Sequence, residues 1–171
     1  MEKVIIVGHG SSGKNFLAEK LQNSGNFSLA PSYTTRPKRK GEIDGKDYKF
    51  INVDYFEKMI KEGLLYEYNE FKNKWYYGIS KEDWEKYNLF ITNPKGVENI
   101  RSCDRKKCFI IFIDIDEKIR KERLSKRNDN NDSVERRLER DKVDFENFTN
   151  YDMKITDPHF NPYQIYSFFD N

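Results

Sequence analysis

The chain has 171 residues, of which 36% are hydrophobic, 15% aromatic and 35% charged, with a net charge of +2. That length suits a single domain over 1–171 with a substantial core built partly from Phe and Tyr, and the near-balance of charge argues against a nucleic-acid polymer as partner. Two cysteines, Cys103 and Cys108, make neither a disulfide framework nor a zinc site; no stretch has the apolar length of a signal peptide or a membrane span, so a reduced, cytoplasmic location is expected.

The first apolar run, Val4-Ile5-Ile6-Val7, reads as a strand, and Phe16, Leu17, Lys20 and Leu21 behind it read as an amphipathic helix. Between them lies Gly8-His9-Gly10-Ser11-Ser12-Gly13-Lys14-Asn15. A glycine turn between strand and helix points several backbone N–H groups inward and sets the helix N-terminus behind them, an arrangement that favours a bound polyphosphate. Lys14 can reach the outer phosphates as a mobile positive charge. Asn15 stands where a Ser or Thr hydroxyl would ordinarily meet Mg²⁺; its amide oxygen can ligate in its place.

Asn23-Ser24-Gly25-Asn26 stops the first helix. Residues 31–47 are rich in Pro, Gly and charge and read as a long loop, followed by a short strand over 48–50. Asp54 is expected to cap a helix with Tyr55, Phe56, Met59 and Ile60 on its apolar face, ending at Gly63. Leu64–Phe71 and Trp75–Gly78 flank Asn73-Lys74 as a hairpin. Ser80 and Asp83 resemble a capping box opening a helix that carries Trp84 and Tyr87. Leu89–Thr92 and Cys108–Ile113 are unbroken apolar runs that suit parallel strands covered on both faces, with Pro94 at a helix start between them. Asp116 opens a helix carrying Ile119, Arg123 and Leu124, residues 128–132 read as a mobile polar loop, and Ser133 opens the next helix. Met153–Thr156 reads as a last strand and 162–169 as a closing helix. The alternation predicts an α/β fold of the P-loop NTPase type: a parallel sheet flanked by helices (core 1–31 and 88–171), with an inserted lobe at about 32–87 and a mobile lid at about 126–137.

Ser32-Tyr33-Thr34-Thr35-Arg36-Pro37-Lys38-Arg39-Lys40-Gly41-Glu42, with Asp44-Gly45, Asp47-Tyr48 and Phe50, closely resembles the monophosphate-binding signature of the guanylate kinase family. Glu67 followed by Trp75-Tyr76-Tyr77-Gly78 resembles it too, and the likeness runs to about residue 157. The chemistry of these residues agrees. Arg36 and Arg39, three apart, can clamp one phosphate by charge-assisted hydrogen bonds, with the Tyr48 and Tyr77 hydroxyls completing that shell. Glu67 can accept from N1–H and the exocyclic amine of guanine. Taken singly, Arg36 and Arg39 beside Lys38 and Lys40 read as an exposed basic run, and Glu67 as a solvated acid; joint occurrence with the Gly8–Lys14 loop is what points to a site.

The resemblance implies transfer of a phosphoryl group from ATP to GMP or dGMP with Mg²⁺, by a monomer or homodimer acting on small nucleotides and on no membrane. It assigns Gly8 through Asn15 to ATP, Ser32, Arg36, Arg39, Tyr48, Glu67, Tyr77 and Asn93 to the monophosphate, and the catalytic charges to Lys14, Arg36, Arg127 and Arg137, with Lys142 where a further family arginine is common. Asn93 and Ile91 take the places of two acids, one at the guanine amine and one at the metal, and Ile79 stands where a small hydroxyl residue is expected. Two other readings follow from these departures: a kinase for a different monophosphate, or a silent module that binds phosphorylated protein segments. The lid arginines, Arg136 included, can also be read as solvated partners of Glu135, Glu139 and Asp141. Neither His9 nor His159 is given an acid–base role.

Overall fold

The structure, a computed structural model, describes residues 2–71, 75–126 and 133–169. Its body is a four-stranded sheet of β1 (Lys3–Gly8), β6 (Leu89–Thr92), β7 (Cys108–Ile113) and β8 (Met153–Ile155), in the order β6-β1-β7-β8 and parallel throughout. The continuous apolar runs serve both faces. Val4 and Ile6 pack with Leu17, Ala18 and Leu21 of α1 (Lys14–Asn23) and Ile165 of α8 (Pro162–Ser167). Ile5 and Val7 point the other way, among Phe90, Val97, Ile110 and Trp84. Each fully buried Val or Ile contributes about 1.5–3 kcal/mol, so the sheet is the most firmly held part of the molecule.

A second sheet, β3-β2-β5-β4, is built from β2 (Tyr33–Thr34), β3 (Lys49–Phe50), β4 (Leu65–Phe71) and β5 (Trp75–Ser80). The stretch read as one long loop over 31–47 therefore begins with a strand. Tyr33 and Thr34 pair with both β3 and β5. That strand is two residues long and exists only through partners distant in sequence. The Asn73-Lys74 turn lies outside the described residues, though β4 and β5 pair antiparallel as a hairpin requires. The pairing carries a one-residue irregularity between Leu65 and Glu67. Leu65 faces Phe56 and Met59 of α2 (Val53–Lys61), whereas Tyr66 stacks on Trp84 at 3.9 Å.

One capping expectation needs correction. Asn52, not Asp54, caps α2: its Oδ1 accepts from Tyr55 N at 2.8 Å, and Asp54 falls in the first turn, where its charge suits the helix dipole. Tyr55 is exposed, leaving Phe56 and Met59 as the buried residues of that helix. Ser80 does cap α3 (Lys81–Lys86), accepting from Asp83 N at 3.0 Å. Asp83, however, holds the Ser80 hydroxyl at 2.7 Å and Lys49 Nζ at 2.8 Å, which ties β3 to α3.

α4 (Pro94–Glu98) and α5 (Ser102–Arg105) follow β6, and α6 (Glu117–Ser125) and α7 (Val134–Phe145) lie between β7 and β8. Asp116 and Ser133 cap α6 and α7. Residues 127–132, which include Arg127 and half of the expected lid, lie outside the described residues.

Candidate active site

β1 delivers the chain into the glycine turn at Gly8, where a Cβ would stand 2.7 Å from the Ile113 carbonyl oxygen and 2.6 Å from Ser12 Oγ. Only glycine lets β1 and β7 stay paired there. Ser11 (φ 58°) and Gly13 (φ 103°) take left-handed conformations, which curl the loop and turn its amides inward. Ser11 Oγ and Ser12 Oγ are buried without hydrogen-bond partners, a cost that a bound anion accepting from them would remove. Lys14 Nζ donates to the carbonyls of Gly8 and His9, both at 2.8 Å. Asn15 is exposed at the second position of α1.

Three residues outside the loop brace it. Arg123 donates to Ser11 O at 3.2 Å and to Pro158 O at 3.1 Å. Asp141 of α7 accepts from Gly10 N at 2.8 Å and from Arg120 at 3.0 Å. Asp141 thus belongs to the phosphate loop and not to the surface pairing with lid arginines suggested by its neighbours in sequence. Its position was detectable: Leu138, Asp141 and Phe145 fall on one helical stripe, and a carboxylate on a core-facing stripe needs a buried partner. The His9 ring stacks on Phe145 with centroids 4.0 Å apart, and burial, aided by Arg120, lowers its pKa to about 4.

The acceptor side is organised around Arg36, which is 2% exposed. Its guanidinium donates to Glu42 Oε1 at 2.6 Å and to Pro37 O at 2.7 Å, and lies 5.3 Å from the Tyr48 ring centroid. Burial works against its charge; the Glu42 hydrogen bond more than offsets this, so its pKa stands above the ordinary value. Glu42 Oε2 accepts from the backbone N–H of Arg39 at 2.7 Å, so one carboxylate holds the Arg36 guanidinium and the loop at Arg39. Tyr48 and Tyr77 meet edge to face at 6.1 Å. Burial, reinforced by Tyr77, pushes the Tyr48 hydroxyl up to about 12, keeping it a donor. Arg36, Arg39, Tyr48 and Tyr77 are brought together in space. Ser32 sits half-buried just ahead of β2, where its carbonyl accepts from Lys49 N at 2.9 Å.

Glu67 is 6% exposed on β4, and its Oε2 has no hydrogen-bond partner. Burial raises its pKa to about 7, against an opposing pull from the hydrogen-bonding side chains of Asn69 and Thr92. Gly96 gives this corner its room: a Cβ there would fall 1.9 Å from Thr92 Oγ1 and 3.1 Å from Glu67 Oε2. Asn93 stands beside it, but its Oδ1 caps α4 by accepting from Gly96 N at 2.9 Å. Ile79 is buried in the second core cluster, and Ile91 packs against the first.

Arg137 is half-buried near the start of α7, and Lys142 pairs across to Glu117 of α6 at 3.2 Å. Arg136 is also half-buried, so it does not simply project into solvent. Cys108 is buried in β7, where burial pushes its thiol up to about 11, and Cys103 is exposed, as is His159. Among the described residues no helix is long and apolar enough to cross a membrane, and no three His, Cys, Asp or Glu side chains gather as a metal cage. Asn15, at the start of α1, carries an amide oxygen of the kind that can ligate a divalent ion.

Comparison with known proteins agrees with this geometry. The family model described as guanylate kinase matches residues 1–164. The guanylate kinase of Francisella tularensis subsp. holarctica is 32% identical over 163 residues, spanning 90% of this chain and 84% of that protein. The guanylate kinase of Wigglesworthia glossinidia brevipalpis is 36% identical over 160 residues, spanning 88% of this chain and 77% of its own length. The crystal structure of guanylate kinase from Anaplasma phagocytophilum superposes with a TM-score of 0.75 over 98% of this chain and 84% of that one, at 22% identity, and shares the fold. The chain therefore belongs to the guanylate kinase family, whose members are ATP-dependent nucleoside monophosphate kinases.

Proposed function

We propose that this chain transfers the γ-phosphoryl group of ATP to the phosphate of GMP or dGMP, giving ADP and GDP or dGDP, at the site just described. The observation that carries the reading is Glu67: a buried carboxylate with an unpartnered oxygen, in a lobe whose Arg36 is also buried. Burying a carboxylate and leaving one oxygen unbonded is costly, and the adjacent N–H donors of a guanine edge would satisfy it. In this reading residues 32–87 are the monophosphate-binding lobe and 126–137 the lid.

Phosphoryl transfer asks the protein mainly for alignment, charge neutralisation and exclusion of water. Lys14 and the loop amides hold the donor phosphates. Arg36, Arg39, Tyr48 and Tyr77 hold the acceptor phosphate, already aligned by Glu42. Glu67 reads the base, and Ser32 contributes from the edge of the lobe. Arg137, with Arg127, stabilises charge on the group in transit. When bound through Asn15 and the phosphates, Mg²⁺ supplies further charge neutralisation.

R36A tests the acceptor assignment in a coupled ADP-release assay run over a panel of ribo- and deoxynucleoside monophosphates. The expected result is a strongly raised KM for GMP with a lower kcat and an unchanged KM for ATP. Unchanged kinetics would remove Arg36 from the site, and preference for another monophosphate would redirect the substrate.

A further inference from the structure

The base side of the site holds a chain of polar groups whose direction is fixed at one end. Gly96 N is a backbone donor, and it gives its hydrogen to Asn93 Oδ1. The atom that Asn93 presents to its other neighbour is therefore Nδ2, which donates to Asn69 Oδ1 at 3.0 Å. A carboxamide has one oxygen and one NH2. With its oxygen taken, Asn69 has only its N–H left to offer a neighbour. The orientations of both amides thus follow from a single backbone hydrogen. Asn69 is 4% exposed and lies two residues from Glu67 on the same face of β4.

We infer that Asn69 is the positioning residue of the base pocket: its Nδ2, aimed by the Gly96–Asn93 chain, fixes the Glu67 carboxylate so that Oε2 is left to receive the N–H edge of the base. This rests on the reading of Glu67 as the guanine contact. Two observations support it independently. Glu67 Oε2 is buried and has no partner, and the missing Cβ of Gly96 keeps the space beside it open. The ionisation of Glu67 is governed by burial, Asn69 and Thr92, with no charged side chain of the described residues among the influences on it. Removing the Asn69 donor therefore favours the protonated acid. A protonated carboxyl loses one of the two acceptors that the guanine edge requires.

The test uses two variants. N69D keeps the size of the side chain and the acceptor for Asn93 but cannot donate to Glu67. N69L removes both groups and introduces no new titrating acid. The Glu67 carboxyl is titrated by carbon-13 NMR in the wild type and both variants, and kcat/KM for GMP and KM for ATP are measured from pH 6 to 9. The Glu67 midpoint is expected to rise by about one pH unit, with kcat/KM for GMP about tenfold lower at pH 6.5 and recovering by pH 9. KM for ATP stays constant. An unmoved midpoint overturns the inference, as does a loss of equal size at every pH. If N69L does not fold, N69A decides, since it removes the donor without adding bulk or a second acid. A shifted midpoint in a protein that does not phosphorylate GMP would sustain the role of Asn69 and discard the substrate reading.

Discussion

The carboxylate of Asp141 rests on the backbone amide of Gly10, at 2.8 Å, while holding Arg120 at 3.0 Å. Helix α7 is thereby fastened to the phosphate loop and to α6 through one side chain. Arg120 is 4% exposed and otherwise donates, among the described residues, only to Ile115 O. Removing its partner strands a buried charge. D141A is expected to destabilise the protein by about 3 kcal/mol in urea unfolding, and D141N, which keeps an acceptor, by clearly less. D141A should also lower KM for ATP, because an anion next to the loop is gone.

The raised pKa of Glu67 has a stability consequence. Its folded value of about 7 lies above the ordinary 4.5. Between those values the folded chain keeps a proton that the unfolded chain releases, so stability falls as pH rises through the interval, by about 3 kcal/mol in all. E67Q removes this loss. Its melting temperature should match that of the wild type at pH 4.5 and exceed it at pH 8, while GMP binding measured by calorimetry disappears.

Glu42 aligns Arg36 through one oxygen and Arg39 N through the other. A glutamine has only one acceptor oxygen and no charge. E42Q should therefore raise KM for GMP about tenfold, with KM for ATP unchanged in the same assay. Equal effects on both substrates would mean that Glu42 supports the fold and not the grip.

His9 is held neutral at physiological pH by burial, with its ring on Phe145. Its Nδ1 approaches Asp114 at 3.6 Å without an ion pair. The Cε1 proton shift of His9 should stay constant between pH 5.5 and 8 in an NMR titration. A midpoint near 6.5 would show that the ring is not packed there.

What the sequence made legible was what local chemistry decides. The loop from Gly8 to Asn15 follows from glycine spacing, the two-faced strands from unbroken apolar runs, and the caps at Ser80 and Ser133 from side-chain type. Grouping Arg36, Tyr48 and Tyr77 came from the family likeness, and space brings them together. The remainder depended on distant partners. β2 is invisible to periodicity because two residues carry none. The cap of α2 falls at Asn52, two residues before Asp54, because side-chain type alone does not set the register of the first turn. The likeness assigns Asn93 to the base, and only the helix behind it reveals that its Oδ1 also caps α4. Asp141 looked like surface charge because its neighbours in sequence are heavily ionic, although its stripe with Leu138 and Phe145 faces the core.

The extra residue in β4 carries a consequence for how this pocket tolerates change. Because the strand steps by one between Leu65 and Glu67, Tyr66, Glu67 and Asn69 turn toward the body of the protein while Leu65 and Tyr68 stay with α2. Loss of a single codon between them would take out the surplus residue and restore plain alternation, leaving Glu67 opposite Ile79 but costing the Tyr66 ring its seat on Trp84. The strand can shorten there without turning its carboxylate, whereas one codon fewer between Glu67 and Asn69 would send Asn69 to the other face.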